Sequence, residues 1–258
     1  MYEQVIVENC EGYTKVIMNR PNAKNAITPL LMNELIDAFQ TLDRDDTVKA
    51  VFLLGAGEDF CAGMDLKYAL DRLENNPEQL LEDLIPLGPR LDDLIEAMSK
   101  PVISVVQGNA IAGGFILSYF CDLVIAAEGA TFGDAHAKWG FVPGWHEPQR
   151  LARSIGIRKA KEFFLTGEFI SAAQAKDLGL VWKLVPDNEL RQIVEKWGSK
   201  FAKMSLTSLG MMKQQLAMVN KMEWDTLCHY DALMRKDLAG GFCTDDAINR
   251  LRNFGNSK

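Results

Sequence analysis

Three short apolar runs constrain the fold of this chain more than any other sequence feature. They occupy residues 48–54 (VKAVFLL), 101–106 (PVISVV) and 121–126 (CDLVIA), and apolar residues at helical spacing fill much of the sequence between them. Such runs are typical of strands that are buried on both faces of a parallel sheet, and these strands need helical crossover connections. On periodicity alone, the pattern predicts a doubly wound α/β sheet.

Local signals predict further elements around these runs. Residues 2–7 and 15–18 have a β-rich composition and are expected to form strands. Thr28, which a proline follows, is a predicted helix N-cap. A later helical pattern, residues 79–98, is expected to break at Pro86, because proline cannot donate a backbone hydrogen bond.

The last quarter of the chain differs, because helical patterns continue there while strand patterns end. The predicted helices cover residues 190–204, 209–220, 224–238 and 245–254. We therefore expect two regions: an α/β core in residues 1–190 and a helical region in residues 191–258.

Composition argues against several classes of function. The net charge of −7 disfavours a surface that neutralises nucleic-acid phosphates. No apolar run reaches the roughly 18 residues of a membrane span, and the N-terminus lacks the pattern of a secretory signal. The five cysteines are widely spaced without a C-x-x-C pair, which favours free thiols in a reducing cytoplasm. The unpaired cysteines and the three scattered histidines do not form the pattern of a metal site.

Two segments share one design, in which a buried strand leads into a glycine-rich turn and then a helix start. They are residues 51–67 (VFLLGAGEDFCAGMDLK) and 103–117 (ISVVQGNAIAGGFIL). Glycine lets the backbone approach a ligand closely, and a helix start presents unpaired N–H groups. Two such turns side by side would aim two N–H donors at one oxygen, which is an oxyanion hole. The alternative is that these glycines only permit tight turns.

The order and spacing of four motifs resemble the enoyl-CoA hydratase/isomerase (crotonase) superfamily over nearly the whole chain. The motifs are residues 19–28 (NRPNAKNAIT), 59–67 (DFCAGMDLK), 100–133 (beginning KPVISVVQGNAIAGG) and 140–186 (beginning GFVPGWHEPQRL). The resemblance implies a spiral of ββα units in place of the doubly wound sheet. It also implies that the helical C-terminal part packs chains into trimers or dimers of trimers. The implied substrate is an acyl-CoA thioester, with coenzyme A bound only as part of that substrate and no tightly bound cofactor.

The resemblance assigns roles to particular positions. The two oxyanion donors are the backbone N–H groups of Met64 and Gly113. The implied substrate-binding positions are Lys24, Ala26, Ala62, Asp65, Leu66, Gly114 and Ile116. Hydratases of the family hold water between two glutamates, and here those positions carry Ile116 and His136. Water addition by the usual acid/base pair is therefore in doubt for this chain.

His136 is the main candidate for proton transfer, because imidazole exchanges a proton near neutral pH. The alternative is a structural role, in which the histidine is packed and hydrogen-bonded. Asp134 either orients the His136 ring, as the carboxylate of a triad does, or caps a turn. His146 and Glu147 form either a second acid/base pair or a helix start, where an acidic residue suits the helix dipole.

Further residues of this stretch and its surroundings have less distinctive roles. Trp139 and Trp145 either wall a flat or cyclic acyl group or pack the loop. We expect Lys67, Arg72 and Lys100 to be solvated charges.

Three functions remain open at this stage. The first is an acyl-CoA lyase or isomerase in which Met64 and Gly113 hold an enolate and His136 replaces the usual glutamate. Isomerisation, hydration by an altered pair, decarboxylation and hydrolysis all fit it. The second is a carbon–carbon hydrolase of β-diketones that needs no coenzyme A. Related hydrolases share the histidine but carry an acidic residue where this chain has Trp145. The third is a binding protein that has lost catalysis.

Overall fold

The computed structural model describes residues 2–219, 221–236 and 245–255. Within them, the strands are β1 (Val5–Cys10), β2 (Tyr13–Met18), β3 (Val51–Gly55), β4 (Val102–Val106), β5 (Asn109–Ile111), β6 (Leu123–Ala127), β7 (Thr131–Gly133), β8 (Ile170–Ser171) and β9 (Lys183–Val185). The α-helices of these residues are α1 (Pro29–Asp43), α2 (Leu66–Asn75), α3 (Pro77–Leu84), α4 (Leu87–Ala97), α5 (Gly113–Phe120), α6 (His136–Trp139), α7 (Glu147–Ile155), α8 (Ile157–Thr166), α9 (Ala172–Asp177), α10 (Leu190–Phe201), α11 (Leu206–Met218), α12 (Trp224–Lys236) and α13 (Asp245–Gly255).

The order of the strands overturns the topology that periodicity alone predicts. The larger sheet has the order β1-β2-β3-β4-β6-β9, and its strands are parallel except for the antiparallel pair β1 and β2. The order therefore rises in one direction, without the reversal of a doubly wound sheet. Periodicity failed here because it describes single segments and carries no information on which strands are neighbours.

A second, smaller sheet with the order β5-β7-β8 completes a spiral. After β4 the chain forms β5 and then α5, and after β6 it forms β7 and then α6. Each of these two turns of the spiral therefore contributes one strand to each sheet and then a helix. An isolated bridge between Cys61 and Ala110 adds the turn after β3 to the same row. The loops that precede α2, α5 and α6 are thus neighbours in space.

The larger sheet is covered on both faces, as the apolar runs of β3, β4 and β6 predict. Val51 and Leu53 belong to a buried cluster that includes residues of α1 and α4. Phe52 belongs to a second cluster, together with Val194 and Phe201 of α10. Because α10 packs on the sheet, the start of the helical region is part of the core packing, and the boundary at residue 190 stays a prediction.

The predicted helix signals are confirmed where the structure tests them. The Thr28 side chain accepts a hydrogen bond from the Leu31 N–H at 3.1 Å, as an N-cap does. The long helical pattern is broken at Pro86, since α3 ends at Leu84 and α4 begins at Leu87. The predicted helical residues 220 and 237–238 lie outside the described part of the chain.

Lys100 is fully buried, so the prediction of a solvated charge is wrong. Its Nζ donates to the carbonyl oxygens of Leu42 at 2.6 Å and Asp43 at 2.7 Å, at the end of α1. Burial lowers the pKa of Lys100, and the nearby aspartates oppose that shift. A cation that satisfies the last carbonyls of a helix also complements the helix dipole.

Two smaller observations concern the described residues only. None of their helices is long and apolar enough to span a membrane. Cys10, Cys61, Cys121 and Cys228 are free thiols, and Cys243 lies outside the described residues.

Candidate active site

A cavity of about 730 Å³ lies where the starts of α2 and α5 meet the segment that contains α6 and the start of α7. The sequence-predicted residues that line it are Lys24, Ala62, Met64, Leu66, Gly113, His136, Trp139, Trp145 and Glu147. Apolar residues that the sequence reasoning missed complete the wall, among them Ile27, Leu80, Leu84, Ile85, Phe141, Val142 and Phe169. The helical pattern of residues 79–98 places Leu80 and Leu84 on one face, and this shared face is the sequence signal that could have indicated them.

Other predicted site residues do not line the cavity. Ala26, Gly114 and Ile116 are buried in the surrounding protein. Asp65 caps α2 through the N–H of Lys67 and pairs with Arg20 at 2.8 Å. These residues support the site in the structure, and their contact with a substrate stays a prediction.

His146 is exposed and is not among the cavity residues. It immediately precedes α7, whereas the side chain of its neighbour Glu147 is buried in the cavity wall. The predicted second pair therefore does not converge in the cavity; Glu147 lies beside His136 instead, with its Oε2 3.8 Å from Nδ1.

The two glycine turns lie against each other, which brings their N–H groups to one side of the cavity. A Cβ on Gly114 would lie 2.0 Å from the Cys61 carbonyl oxygen, so only glycine permits this approach. A Cβ on Gly63, beside Met64, would lie 3.5 Å from the Gly113 nitrogen. Within the described residues, neither the Met64 N–H nor the Gly113 N–H donates to an acceptor. Both donors are therefore available to one ligand oxygen.

The turn before α5 has an unusual backbone. Ala112 has a φ of 48°, a value that residues other than glycine rarely adopt. Its N–H donates to the Gly133 carbonyl at 2.8 Å, and its own carbonyl accepts from Ile116 at 3.0 Å. These bonds fix the first turn of α5, whose Gly113 N–H faces no helical carbonyl. The strain at Ala112 is therefore held by bonds on both sides of the donor.

Asp134 and His136 form a dyad. Asp134 Oδ1 contacts His136 Nδ1, and Asp134 Oδ2 accepts the backbone N–H of His136 at 3.2 Å. A tautomer with its proton on Nδ1 donates to this carboxylate and leaves Nε2 as the basic nitrogen. Asp134 is 2% exposed, so water does not compete for the contact.

Glu147 provides a neutral acid beside this dyad. Burial and, to a lesser degree, the Asp134 carboxylate raise the pKa of Glu147 to about 9. Its Oε1 is buried without a hydrogen-bond partner in the described residues. At neutral pH the group is therefore a carboxylic acid with an oxygen left for a ligand.

Asp134, His136 and Glu147 also have the composition of a metal site, with donor atoms within 4.8 Å of one another. An ion bound through Oδ1 of Asp134 and Nδ1 of His136 would have to separate these two atoms, which are in direct contact. The arrangement in the structure is that of a hydrogen-bonded acid/base group.

Trp145 and Trp139 both line the cavity, and Trp139 is 55% exposed. The Trp145 indole N–H donates to the Ile85 carbonyl at 3.0 Å. Its ring packs on Gly88, where a Cβ would lie 2.1 Å from the ring. The wall is therefore built around this tryptophan.

Comparison with known proteins identifies the family. The profile of the Enoyl-CoA hydratase/isomerase family matches residues 8–241, most of the chain. The chain belongs to the enoyl-CoA hydratase/isomerase family. The hydroxycinnamoyl-CoA hydratase-lyase of Pseudomonas fluorescens is 32% identical over 225 residues, which cover 87% of this chain and 82% of that protein. A probable enoyl-CoA hydratase of Mycobacterium bovis is 32% identical over 253 residues, which cover 98% of this chain and 95% of that protein.

A solved structure supports the same assignment. The enoyl-CoA hydratase of Bacillus anthracis superposes with a TM-score of 0.89 at 30% identity, covering 99% of this chain and 97% of that one. This likeness confirms the crotonase-like spiral with a helical C-terminal part. That Ile116 and His136 of this enoyl-CoA hydratase/isomerase family member replace the glutamates of hydratases stays a prediction.

Proposed function

We propose that this family member acts on an acyl-CoA thioester by forming an enolate. The observation that carries the proposal is that the unpaired N–H groups of Met64 and Gly113 border the same cavity as His136 and Glu147. Two such donors hold the oxygen on which negative charge develops, and they need no reorganisation during the reaction. Lys24, whose side chain is 63% exposed at this cavity, is suited to the phosphates of coenzyme A.

We further propose reversible hydration of a 2-enoyl thioester by an altered acid/base pair. His136, oriented by Asp134, takes a proton from water, and the oxygen bonds to the β-carbon. The electrons pass to the thioester oxygen, which Met64 and Gly113 hold. The Glu147 carboxyl then gives its proton to the α-carbon. After product leaves, His136 Nε2 gives its proton to solvent and the Glu147 carboxylate takes one up, which restores both groups.

The cavity wall favours a bulky apolar acyl group. Trp145, Phe141 and Phe169 are among the aromatic residues that line it. Aromatic walls suit flat groups, which can stack on them or meet their edges. The similarity to a hydroxycinnamoyl-CoA hydratase-lyase supports an aromatic acyl group as the first substrate to test.

A carbon–carbon hydrolase is the second candidate, and the Asp134–His136 contact favours it. The same dyad can activate water against a β-ketone, and the neutral Glu147 can donate to the ketone oxygen. The carboxylate that contacts the histidine here comes from Asp134, while Trp145 stands where the related hydrolases carry their acid. This activity would need no coenzyme A.

A substrate panel tests the proposal. The panel compares short, medium and aromatic 2-enoyl-CoAs with free β-diketones, and product is followed by mass spectrometry. Turnover of an enoyl-CoA, with a hydroxyl placed at the β-carbon, is the expected result. Cleavage of free diketones without enoyl-CoA turnover would support the hydrolase. Tight binding without turnover of any compound would support a binding protein.

A further inference from the structure

The segment that carries Glu147 is attached to α4 at two points. On one side of Glu147, the Trp145 ring packs on Gly88. On the other side, the Arg150 guanidinium forms an ion pair with Asp92. Gly88 and Asp92 are four residues apart and so lie on one face of α4. Both contacts therefore hold the first turn of α7 against the same helix.

The carboxylate side of the ion pair is shielded from water, while the Arg150 side chain is 34% exposed. Asp92 is 8% exposed, and its Oδ1 has no hydrogen-bond partner in the described residues. The guanidinium carbon of Arg150 lies 5.5 Å from the centre of the Phe120 ring. Displacing Arg150 would leave the buried Asp92 carboxylate without its counter-charge, so the contact resists displacement of α7.

The backbone beside Glu147 needs this restraint. Trp145 and His146 have φ values of 53° and 58°, which residues other than glycine rarely adopt. Such residues persist where the surrounding structure fixes them on both sides. The α4 contacts of Trp145 and Arg150 supply that fixation.

We propose that Asp92 and Arg150 are positioning residues that hold Glu147 against His136. Neither is among the described residues that line the cavity, so neither is expected to touch a substrate. The kinetic part of the test rests on the proposed function, and the spectroscopic part does not.

The kinetic test compares Asp92→Asn with Glu96→Gln. Glu96 is one turn further along α4 and pairs with Lys221 at 2.7 Å, away from α7, so it is a matched control. Displacing a reacting group by about 1 Å can cost a factor of up to 10², so we expect Asp92→Asn to lower kcat about 10- to 100-fold with little change in KM. Glu96→Gln should stay within about twofold. Equal kcat values for the two variants would overturn the proposal.

A double-mutant cycle shows whether Asp92 acts through Glu147. In a Glu147→Gln background, Asp92→Asn should cause no further loss of kcat, because the group that it positions is already removed. Losses that multiply would contradict the proposed role. Arg150→Lys keeps the positive charge, so its kcat should fall less than that of Asp92→Asn. If Asp92→Asn does not fold, Arg150→Lys replaces it in the same comparisons.

An infrared measurement without substrate separates this proposal from the proposed function. The carbonyl stretch of the protonated Glu147 carboxyl is assigned by its absence in Glu147→Gln. Asp92→Asn should shift or broaden that band, and Glu96→Gln should leave it unchanged. An unshifted band in folded Asp92→Asn would overturn the positioning role, whether or not any acyl-CoA is turned over.

Discussion

At the scale of single residues, Asp134 and Glu147 show how surroundings separate two carboxyl groups. Asp134 accepts the His136 N–H and contacts the His136 ring, while Glu147 Oε1 has no partner in the described residues. Pairs of ionisable groups in unlike environments commonly divide acid and base roles. On this division we propose the dyad as the base and Glu147 as the acid.

Replacing His136 by alanine should abolish most turnover while substrate still binds. A positioned general base contributes about 10²–10⁴-fold, so His136→Ala is expected to lower kcat by that factor. His146→Ala is the matched control, since His146 is exposed and lies outside the cavity residues, and it should change kcat by about twofold at most. Steady-state kinetics with the best enoyl-CoA substrate measures this change. Full activity of His136→Ala would refute the role of His136 as the general base.

Glu147 should make the stability of the protein fall as pH rises from about 4.5 to 9. The folded-state pKa is raised to about 9 from an ordinary 4.5, so the folded state keeps a proton that the unfolded state releases. Below pH 4.5 Glu147 is protonated in both the folded and the unfolded state, and above pH 9 it is ionised in both, so the loss of stability levels off. Glu147→Gln removes this dependence.

Thermal melting measures that effect. The melting temperature of Glu147→Gln minus that of the wild type should grow between pH 5 and pH 9. A difference that stays constant over this range would mean that Glu147 titrates normally in the folded protein.

The sequence predicted the contact of Asp134 with His136 as one of two alternatives, but it did not predict the contact with Glu147. The resemblance to the family singles out Met64, Gly113 and His136 because the motifs that contain them match in order and spacing. The contact between His136 and Glu147 was not found, because it depends on how the loop between α6 and α7 folds back. Composition also gave no warning that Lys100 is buried, since the two carbonyls that it satisfies lie almost 60 residues earlier in the chain.

At the scale of elements, the long segments were predictable and the short ones were not. The apolar runs of β3, β4 and β6 and the capped helix α1 gave clear patterns. The strands β5, β7 and β8 are two or three residues long, too short for a period to be recognised. They form because each pairs with a neighbouring turn of the spiral, which is a property of the tertiary structure.

The end of α1 should depend on Lys100. Lys100→Met keeps most of the apolar stem but leaves the Leu42 and Asp43 carbonyls without the ammonium donor, which is expected to cost about 2–4 kcal/mol of unfolding free energy. Urea denaturation measures the change. Lys67→Met, at an exposed position, is the control and should change stability by about 0.5 kcal/mol or less. Equal stability of the two variants would contradict the capping role.

At the scale of the whole molecule, coenzyme A binding should stabilise the fold. A ligand that binds only the folded state contributes about 2.7 kcal/mol at 100 times its Kd, which corresponds to several degrees in melting temperature. Free coenzyme A and acetoacetyl-CoA are the probes. Pantetheine, which lacks the nucleotide and its phosphates, is the control for binding of the nucleotide part. An unchanged melting temperature with both coenzyme A ligands would favour the diketone hydrolase.

The chain should also assemble. Exposed apolar side chains occur along the helical C-terminal region, including Met212 and Leu216 of α11 and Trp224 of α12. Surfaces of this kind commonly mark contacts between chains. Light scattering after gel filtration is expected to give three or six times the chain mass of 28.8 kDa. A mass of 28.8 kDa in solution would refute the trimer that the family resemblance implies.

The rising strand order has a consequence for synthesis of the chain on the ribosome. In the larger sheet, each strand after β1 joins the strand that was made just before it in that sheet. The nascent sheet therefore grows at one edge, and only its newest strand waits for a partner. Because unpaired strand edges are where unfinished chains aggregate, this order confines new unpaired edges to one side of the growing sheet, while β1 stays at the other edge.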